Sequence, residues 1–230
     1  MKTAQTELRR TIGLPLLLFY GMGNIIGAGI YVLIGKVSGE AAMYAPVAFL
    51  VASLVAGFSA FSYSEMSARY PLSAGEAVYI DEGFHLKNLS RLTGLLIAVA
   101  GMVSAATIFR GFYGYFNSII QAPEIVVITA VILTLGLLTV WGISQSVAAA
   151  AALTVIEISG LLLIIWAGKD ILGTAPDQVE QLIPPFHISA WSGIFLGGFL
   201  AFFAFIGFED MVNIAEEVKH PQRTLPAAIL

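Results

Sequence analysis

A chain of 230 residues with 58% hydrophobic and only 11% charged residues does not have the composition of a soluble protein, because soluble proteins carry about 25% charged residues. About six spans of ~21 apolar residues would account for most of the hydrophobic positions. The net charge of −4 leaves no basic surface for nucleic acid, and the absence of cysteine excludes disulfides and thiolate chemistry. We therefore predict an all-α polytopic membrane protein that forms a single membrane domain over residues 1–230.

Stretches without charged residues predict the positions of the spans. The predicted spans are residues 11–35, 41–64, 92–118, 125–141, 147–168 and 181–208, of which the third continues past Arg110 and the fifth contains Glu157. A polar node at 141–146 predicts a tight turn between spans four and five. Between spans two and three, Pro71 and Gly75 break the helical pattern, and residues 77–84 are expected to form a short helix at the membrane surface.

The distribution of lysine and arginine orients the spans. With the N-terminus in the cytoplasm, eight of the eleven basic residues lie in inner segments, two (Lys36 and Lys169) lie in outer segments, and Arg110 lies in span three. The eight are Lys2, Arg9, Arg10, Arg69, Lys87, Arg91, Lys219 and Arg223. We therefore expect a multi-pass protein of the cell membrane, plasma or inner, with a cytoplasmic N-terminus.

Span one contains four glycines within nine residues, Gly21, Gly23, Gly27 and Gly29. Each costs up to about 1 kcal/mol of helix propensity. One interpretation is close helix packing, because Gly23 and Gly27 have the spacing of a small-xxx-small contact. The other is a discontinuous helix, unwound over 24–28. Its freed N–H groups would bind a carboxylate and its freed carbonyls an ammonium group.

A second interruption is predicted in span six, where F-A-F-I-G-F-E-D at 203–210 places Gly207 between an apolar stretch and two acids. Span six either ends at Gly207 or continues beyond it and carries Glu209 into the membrane, where an acid indicates a functional site. Glu209 could equally cap the second half-helix by accepting its free N–H groups. Glycine-interrupted spans at corresponding positions of two halves indicate the binding site of a transporter.

Four motifs resemble those of the amino acid–polyamine–organocation permease superfamily. They are G-M-G-N-I-I-G-A-G-I-Y at 21–31, Y-S-E-M-S-A-R-Y-P at 63–71 followed by Ala74-Gly75, F-I-G-F-E-D at 205–210, and E-E-V-K-H-P-Q-R-T-L-P at 216–226. Glu76 stands where the family motif has a second glycine. The resemblance implies a five-plus-five inverted repeat with discontinuous helices one and six. It also implies secondary active transport of amino acids or related amines, driven by protons, sodium or exchange, with no bound cofactor.

The resemblance further implies where the substrate would lie. Its carboxylate would meet the backbone N–H groups of Ala28 and Gly29. Its α-ammonium group would meet the carbonyls of Ile25, Phe203 and Ile206.

Other residues at the two interruptions have supporting roles in the resemblance. Asn24 and Glu209 would hold the unwound segments, Gly27 would permit close approach, and Phe203 or Phe205 would gate the substrate. The predicted substrate-site residues are Asn24, Ile25, Gly27, Ala28, Gly29, Phe203, Phe205, Ile206, Gly207 and Glu209.

Glu157 lies in helix five at the position where several members of the superfamily carry a lysine whose ammonium group replaces a sodium ion. A carboxyl group in a low-dielectric environment takes up a proton more readily than one in water. We therefore expect Glu157 to couple transport to protons. The alternative is an acid that faces water or pairs with a partner outside this sequence.

Members of the superfamily have about twice as many helices as this chain. We therefore expect the N-terminal half of a permease, helices one to six, ending at the start of helix seven. Its partners would be the amino acid substrate, the lipid bilayer and a missing C-terminal half, in the same protein or as a separate chain. The competing interpretation is a non-transporting subunit or an amino acid sensor. An enzyme is not expected, because His85, His187 and His220 lie in separate loops and no nucleophile–base pair accompanies the deep acids.

Overall fold

A computed structural model of the chain describes residues 8–170 and 179–230. Within these residues the fold is all helical apart from one parallel bridge between Ile12 and Val218. Lys2 lies outside the described residues. The α-helices are α1 (Leu14–Ala41), α2 (Ala45–Arg69), α3 (Gly75–Phe84), α4 (Lys87–Ile119), α5 (Glu124–Trp141), α6 (Ile143–Ala167), α7 (Ile188–Phe202), α8 (Phe208–Asn213) and α9 (Pro221–Ile229).

Within the described residues, five helical runs are long and apolar enough to cross a membrane. The first, Leu14–Arg69, comprises two helices, α1 and α2, separated near Ala42, where φ is 50°. The others are Lys87–Ile119, Glu124–Trp141, Ile143–Ala167 and Ile188–Asn213. The six predicted spans therefore correspond to α1, α2, α4, α5, α6 and the pair α7–α8, and the all-α polytopic fold is confirmed.

Several predicted boundaries were wrong, and the turn between spans four and five shows why. It is not a loop over 141–146 but a break at Gly142, which has φ 132° and ψ 158°. The Ser146 hydroxyl donates to the carbonyls of Leu138 and Gly142 at 3.2 and 3.1 Å. Residues 143–146 of the polar node therefore form the first turn of α6. The surface helix α3 begins at Gly75, and span six begins at Ile188 rather than at 181.

The chain segments that the charge distribution assigns to one side of the membrane meet at one end of the fold, which we call the basic end. The N–H groups of Thr11 and Ile12 donate to the Glu217 carbonyl at 2.8 and 3.0 Å, and the Lys219 N–H donates to the Ile12 carbonyl at 2.8 Å. The Ser73 N–H donates to Glu216 Oε1 at 3.3 Å. The N-terminal segment, the α2–α3 loop and the segment after α8 are therefore joined directly.

Two separate apolar cores stabilise the bundle. The core at the basic end consists of Ile12, Leu17, Val147, Phe208, Met211, Val212, Ile214, Ala215, Val218, Leu225 and Ile229. The core at the opposite end consists of Val37, Ala41, Ala45, Ala48, Ala52, Ile194 and Ala201, and its small residues let α1, α2 and α7 approach closely. Along both α1 and the pair α7–α8, the chain passes from one core to the other at the predicted interruptions.

Candidate functional site

The interruption of helix one is confined to Gly27. Its φ of −20° and ψ of −127° are non-helical, whereas the residues on either side remain in α1. The expectation of an unwound segment over 24–28 was too broad, because helical hydrogen bonding continues up to a single kink. Glycine is the residue that tolerates such a backbone conformation at least cost.

The interruption of span six is longer. After α7, Phe203–Phe205 form a 3₁₀ turn, Ile206 is extended with φ −71° and ψ 136°, and Gly207 has φ 147°. The helix resumes at Phe208 as α8. Span six therefore continues past Gly207, and the interpretation in which it ends there was wrong.

The two interruptions lie against each other. A Cβ on Gly207 would be 2.9 Å from the Asn24 carbonyl carbon and 3.0 Å from the Ile25 nitrogen. A Cβ on Gly29 would be 2.8 Å from Ala204 Cα. Because the nearest atoms belong to the backbone, these glycines let the main chains of helix one and span six approach more closely than any side chain would permit.

Two polar contacts tie the interrupted segments. Glu209 Oε2 accepts the Gly207 N–H at 2.7 Å, so Glu209 caps the start of α8. Asn24 Nδ2 donates to Asp210 Oδ2 at 3.2 Å, which joins α1 to α8. Asp210 was missed by the sequence analysis, although its place directly after Glu209 was the available signal.

Helix α6 lines the glycine face of α1. The Thr154 hydroxyl donates to the Phe19 carbonyl at 2.9 Å and lies directly against Gly23. Glu157 Oε1 is 3.8 Å from the position of a Cβ on Gly27. The close-packing interpretation therefore holds for Gly23, whereas a Cβ on Gly27 would make only an ordinary contact with the Glu157 carboxyl beside the kink.

The second carboxyl oxygen of Glu157, Oε2, is buried and has no hydrogen-bond partner in the described part of the chain. The Tyr31 hydroxyl lies close by, but it donates to the Glu157 backbone carbonyl at 2.7 Å. Tyr31 is itself held by α4, since the Tyr115 hydroxyl donates to its carbonyl at 2.8 Å. The carboxyl is therefore left to interact with a proton, a cation or a group from outside these residues.

The two candidate gate residues differ in their surroundings. The ring of Phe205 packs edge-on against Phe49 of α2 with centroids 6.4 Å apart, next to the core at the opposite end. The side chain of Phe203 is 53% exposed. Among the described residues, Phe203 has no aromatic ring packed against it, and it is the more exposed of the two candidates.

A cleft of about 630 Å³ lies elsewhere, at the basic end. It is lined by Arg10, Pro71 and residues 220–224. None of the predicted site residues lines it. Across residues 8–170 and 179–230, no group of three or more His, Asp and Glu side chains could hold a metal ion.

Comparison with known proteins identifies the family of the chain. A family model described as amino acid permease matches residues 12–230. The chain is 31% identical to the vacuolar cationic amino acid transporter 2 of Arabidopsis thaliana, over 97% of this chain and 38% of that protein. It is 28% identical to a branched-chain amino acid permease of Bacillus subtilis, over 99% of this chain and 52% of that protein.

A methylthioribose transporter of Bacillus subtilis is 26% identical over 97% of this chain and 51% of its own length. The chain thus spans about half or less of the length of these relatives. All three are named as transporters or permeases, and none as an enzyme, in agreement with the sequence analysis. Together with the helices that are long and apolar enough to span a membrane, the match over residues 12–230 shows that the chain belongs to the amino acid permease family.

Proposed function

We propose that the intact protein transports an amino acid or a related amine across a membrane, with the substrate held between helix one and span six. The observation that carries this proposal is the direct contact of the two interruptions, at Gly207 against Asn24 and Ile25 and at Gly29 against Ala204. In a transporter built from repeats, interrupted helices that meet in this way form the binding site.

In this proposal the substrate is bound by main-chain groups. The N–H groups of Ala28 and Gly29, which directly follow the kink at Gly27, bind the substrate carboxylate. The α-ammonium group is bound by the carbonyls of Ile25, Phe203 and Ile206, of which Ile206 is the extended residue of the span-six interruption. Phe203 gates the site.

Glu157 couples transport to protons in this proposal. Its position beside Gly27 and its unpartnered Oε2 support the assignment. An ionised carboxylate buried without a partner is costly, so the group favours a state in which it holds a proton or faces a cation. Sodium in place of the proton is the alternative coupling ion.

We also propose that further helices complete the site, either in the same protein or in a second chain. The relatives extend well beyond the matched region. The apolar faces of α4, α5 and α6 are exposed among the described residues and fit a lipid bilayer or those further helices. The protein is proposed to lie in the plasma or inner membrane, with its basic end and N-terminus in the cytoplasm.

The test is uptake of a panel of labelled amino acids by the intact protein in proteoliposomes, with and without an inward proton gradient. We expect accumulation of at least one amino acid, stimulated by the gradient. Binding without uptake would favour an amino acid sensor. The Glu157→Gln variant is expected to lose the stimulation, and unchanged uptake with unchanged pH dependence would exclude proton coupling at Glu157.

A further inference from the structure

Tyr63 of α2 lies where three helices meet at the basic end. Its hydroxyl donates to Glu76 Oε1 of α3 at 2.9 Å. Its ring packs edge-on against Phe208, the first residue of α8, with centroids 5.2 Å apart and an interplanar angle of 76°. It also contacts Tyr79 of α3, with centroids 6.2 Å apart. We call Tyr63, Glu76, Tyr79 and Phe208 the Tyr63 junction.

The junction lies at the start of α8, directly after the interruption of span six. Phe208 directly follows Gly207, the residue with φ 147°. Beyond Phe208, α8 continues against α3, since a Cβ on Gly75 would be 2.5 Å from Val212 Cγ2. A ring fixed against Phe208 therefore constrains the first turn of α8 immediately after the interruption.

The hydrogen bond from Tyr63 offsets an unfavourable charge. Like charges on Glu76 and on Glu209 and Asp210 of α8 disfavour one another. Its Oε2 is buried without a hydrogen-bond partner in the described part of the chain. Burial, and then the Glu76 carboxylate, raise the pKa of Tyr79 to about 12, so Tyr79 stays a neutral phenol and adds no further negative charge.

We propose that Glu76 is a positioning residue that acts through Tyr63 to hold α8 against α2 and α3, and so keeps the basic end closed. Glu76 fixes the Tyr63 hydroxyl, and the hydroxyl fixes the ring that Phe208 packs against. The proposal rests on the proposed function in that α8 forms one side of the substrate site. Its test, however, does not require transport.

The test uses the absence of cysteine from this sequence. Ser67 lies one helical turn beyond Tyr63 on the same face of α2, is fully buried and donates to the Ser64 carbonyl at 3.0 Å. A Ser67→Cys substitution in the intact protein, with cysteines outside this sequence replaced, supplies a buried thiol. Its rate of reaction with a charged thiol reagent in nanodiscs reports opening of the basic end. Ser64→Cys, also buried, is the second reporter.

We expect Tyr63→Phe and Glu76→Ala each to speed labelling by about tenfold or more, as loss of a hydrogen bond to a charged group predicts. Glu76→Gln keeps a hydrogen-bond acceptor for Tyr63 and removes the charge repulsion with α8. The reporter thiol should therefore be labelled no faster in this variant than in the parent. Tyr79→Phe is the matched control, because its hydroxyl has no partner in the described part of the chain, and it should also label no faster.

Three results would each overturn the proposal. They are parent-like labelling of both Tyr63→Phe and Glu76→Ala, equal acceleration by Tyr79→Phe, and acceleration by Glu76→Gln equal to that by Glu76→Ala. If Glu76→Ala does not fold, Tyr63→Phe decides the matter, because it keeps the ring. Amino acid uptake is measured separately on the same variants, so that loss of the proposed function and failure of this proposal remain distinguishable.

Discussion

Replacing Gly207 by alanine should separate the two interruptions. Its φ of 147° is a conformation that alanine rarely adopts, which costs about 1–3 kcal/mol. The new methyl group would also lie 2.9–3.0 Å from backbone atoms of Asn24 and Ile25. Because these atoms cannot rotate away, overpacking adds about 1–3 kcal/mol. The total is about 2–6 kcal/mol, and its lower limit corresponds to about a 30-fold loss of the native arrangement.

The assays are the thermal unfolding midpoint of the purified intact protein and amino acid uptake in proteoliposomes. The matched control is Gly35→Ala in α1, where a Cβ meets no atom within 4 Å among the described residues. Alanine there should be neutral or stabilising by about 0.5–1 kcal/mol. A Gly207→Ala protein with the midpoint and uptake of the Gly35→Ala control would refute the close contact on which the site depends.

Two further predictions concern helix packing and pH. Thr154→Val keeps the shape of a buried side chain but removes the hydroxyl that donates to the Phe19 and Ala150 carbonyls. The free energy of unfolding should fall by about 0.5–1.5 kcal/mol. An unchanged unfolding midpoint would contradict the α1–α6 contact. Burial is the main cause that raises the pKa of Glu217 above its ordinary value of 4.5, so the folded state favours the protonated acid. The stability from this group is fully present below pH 4.5 and is lost as the pH rises through the raised pKa. Glu217→Gln should therefore have a higher midpoint than the parent at pH 7 and lose this advantage below pH 4.5. A parent and variant with the same pH dependence would contradict the prediction.

The sequence was sufficient to locate the spans and both interruptions, because absence of charge marks a span and clustered glycine marks a break. It was not sufficient to separate packing from unwinding in helix one. Gly23 serves close packing on α6, whereas Gly27 forms the kink. A glycine pattern is the same for both uses, and only the backbone angles distinguish them.

The contacts between distant segments were beyond the reach of sequence patterns. The bond from Asn24 to Asp210 joins residues that are 186 positions apart, and no local spacing predicts it. Capping was one of the two roles that the sequence left open for Glu209, and it was within reach because it needs only the neighbouring N–H of Gly207. The Tyr63 junction needed three helices to be placed together, although Glu76 was already conspicuous as an acid at a glycine position of the family motif.

The central claim is that an amino acid binds where helix one and span six meet. The most direct measurement compares uptake of the labelled amino acid panel by the intact parent protein and by its Gly29→Ala variant, in which the new methyl group would be 2.8 Å from Ala204 Cα. We predict uptake of at least one amino acid by the parent and a severe loss in the variant while it remains monodisperse. A parent that takes up no amino acid, or a variant that transports as well as the parent, would contradict the claim.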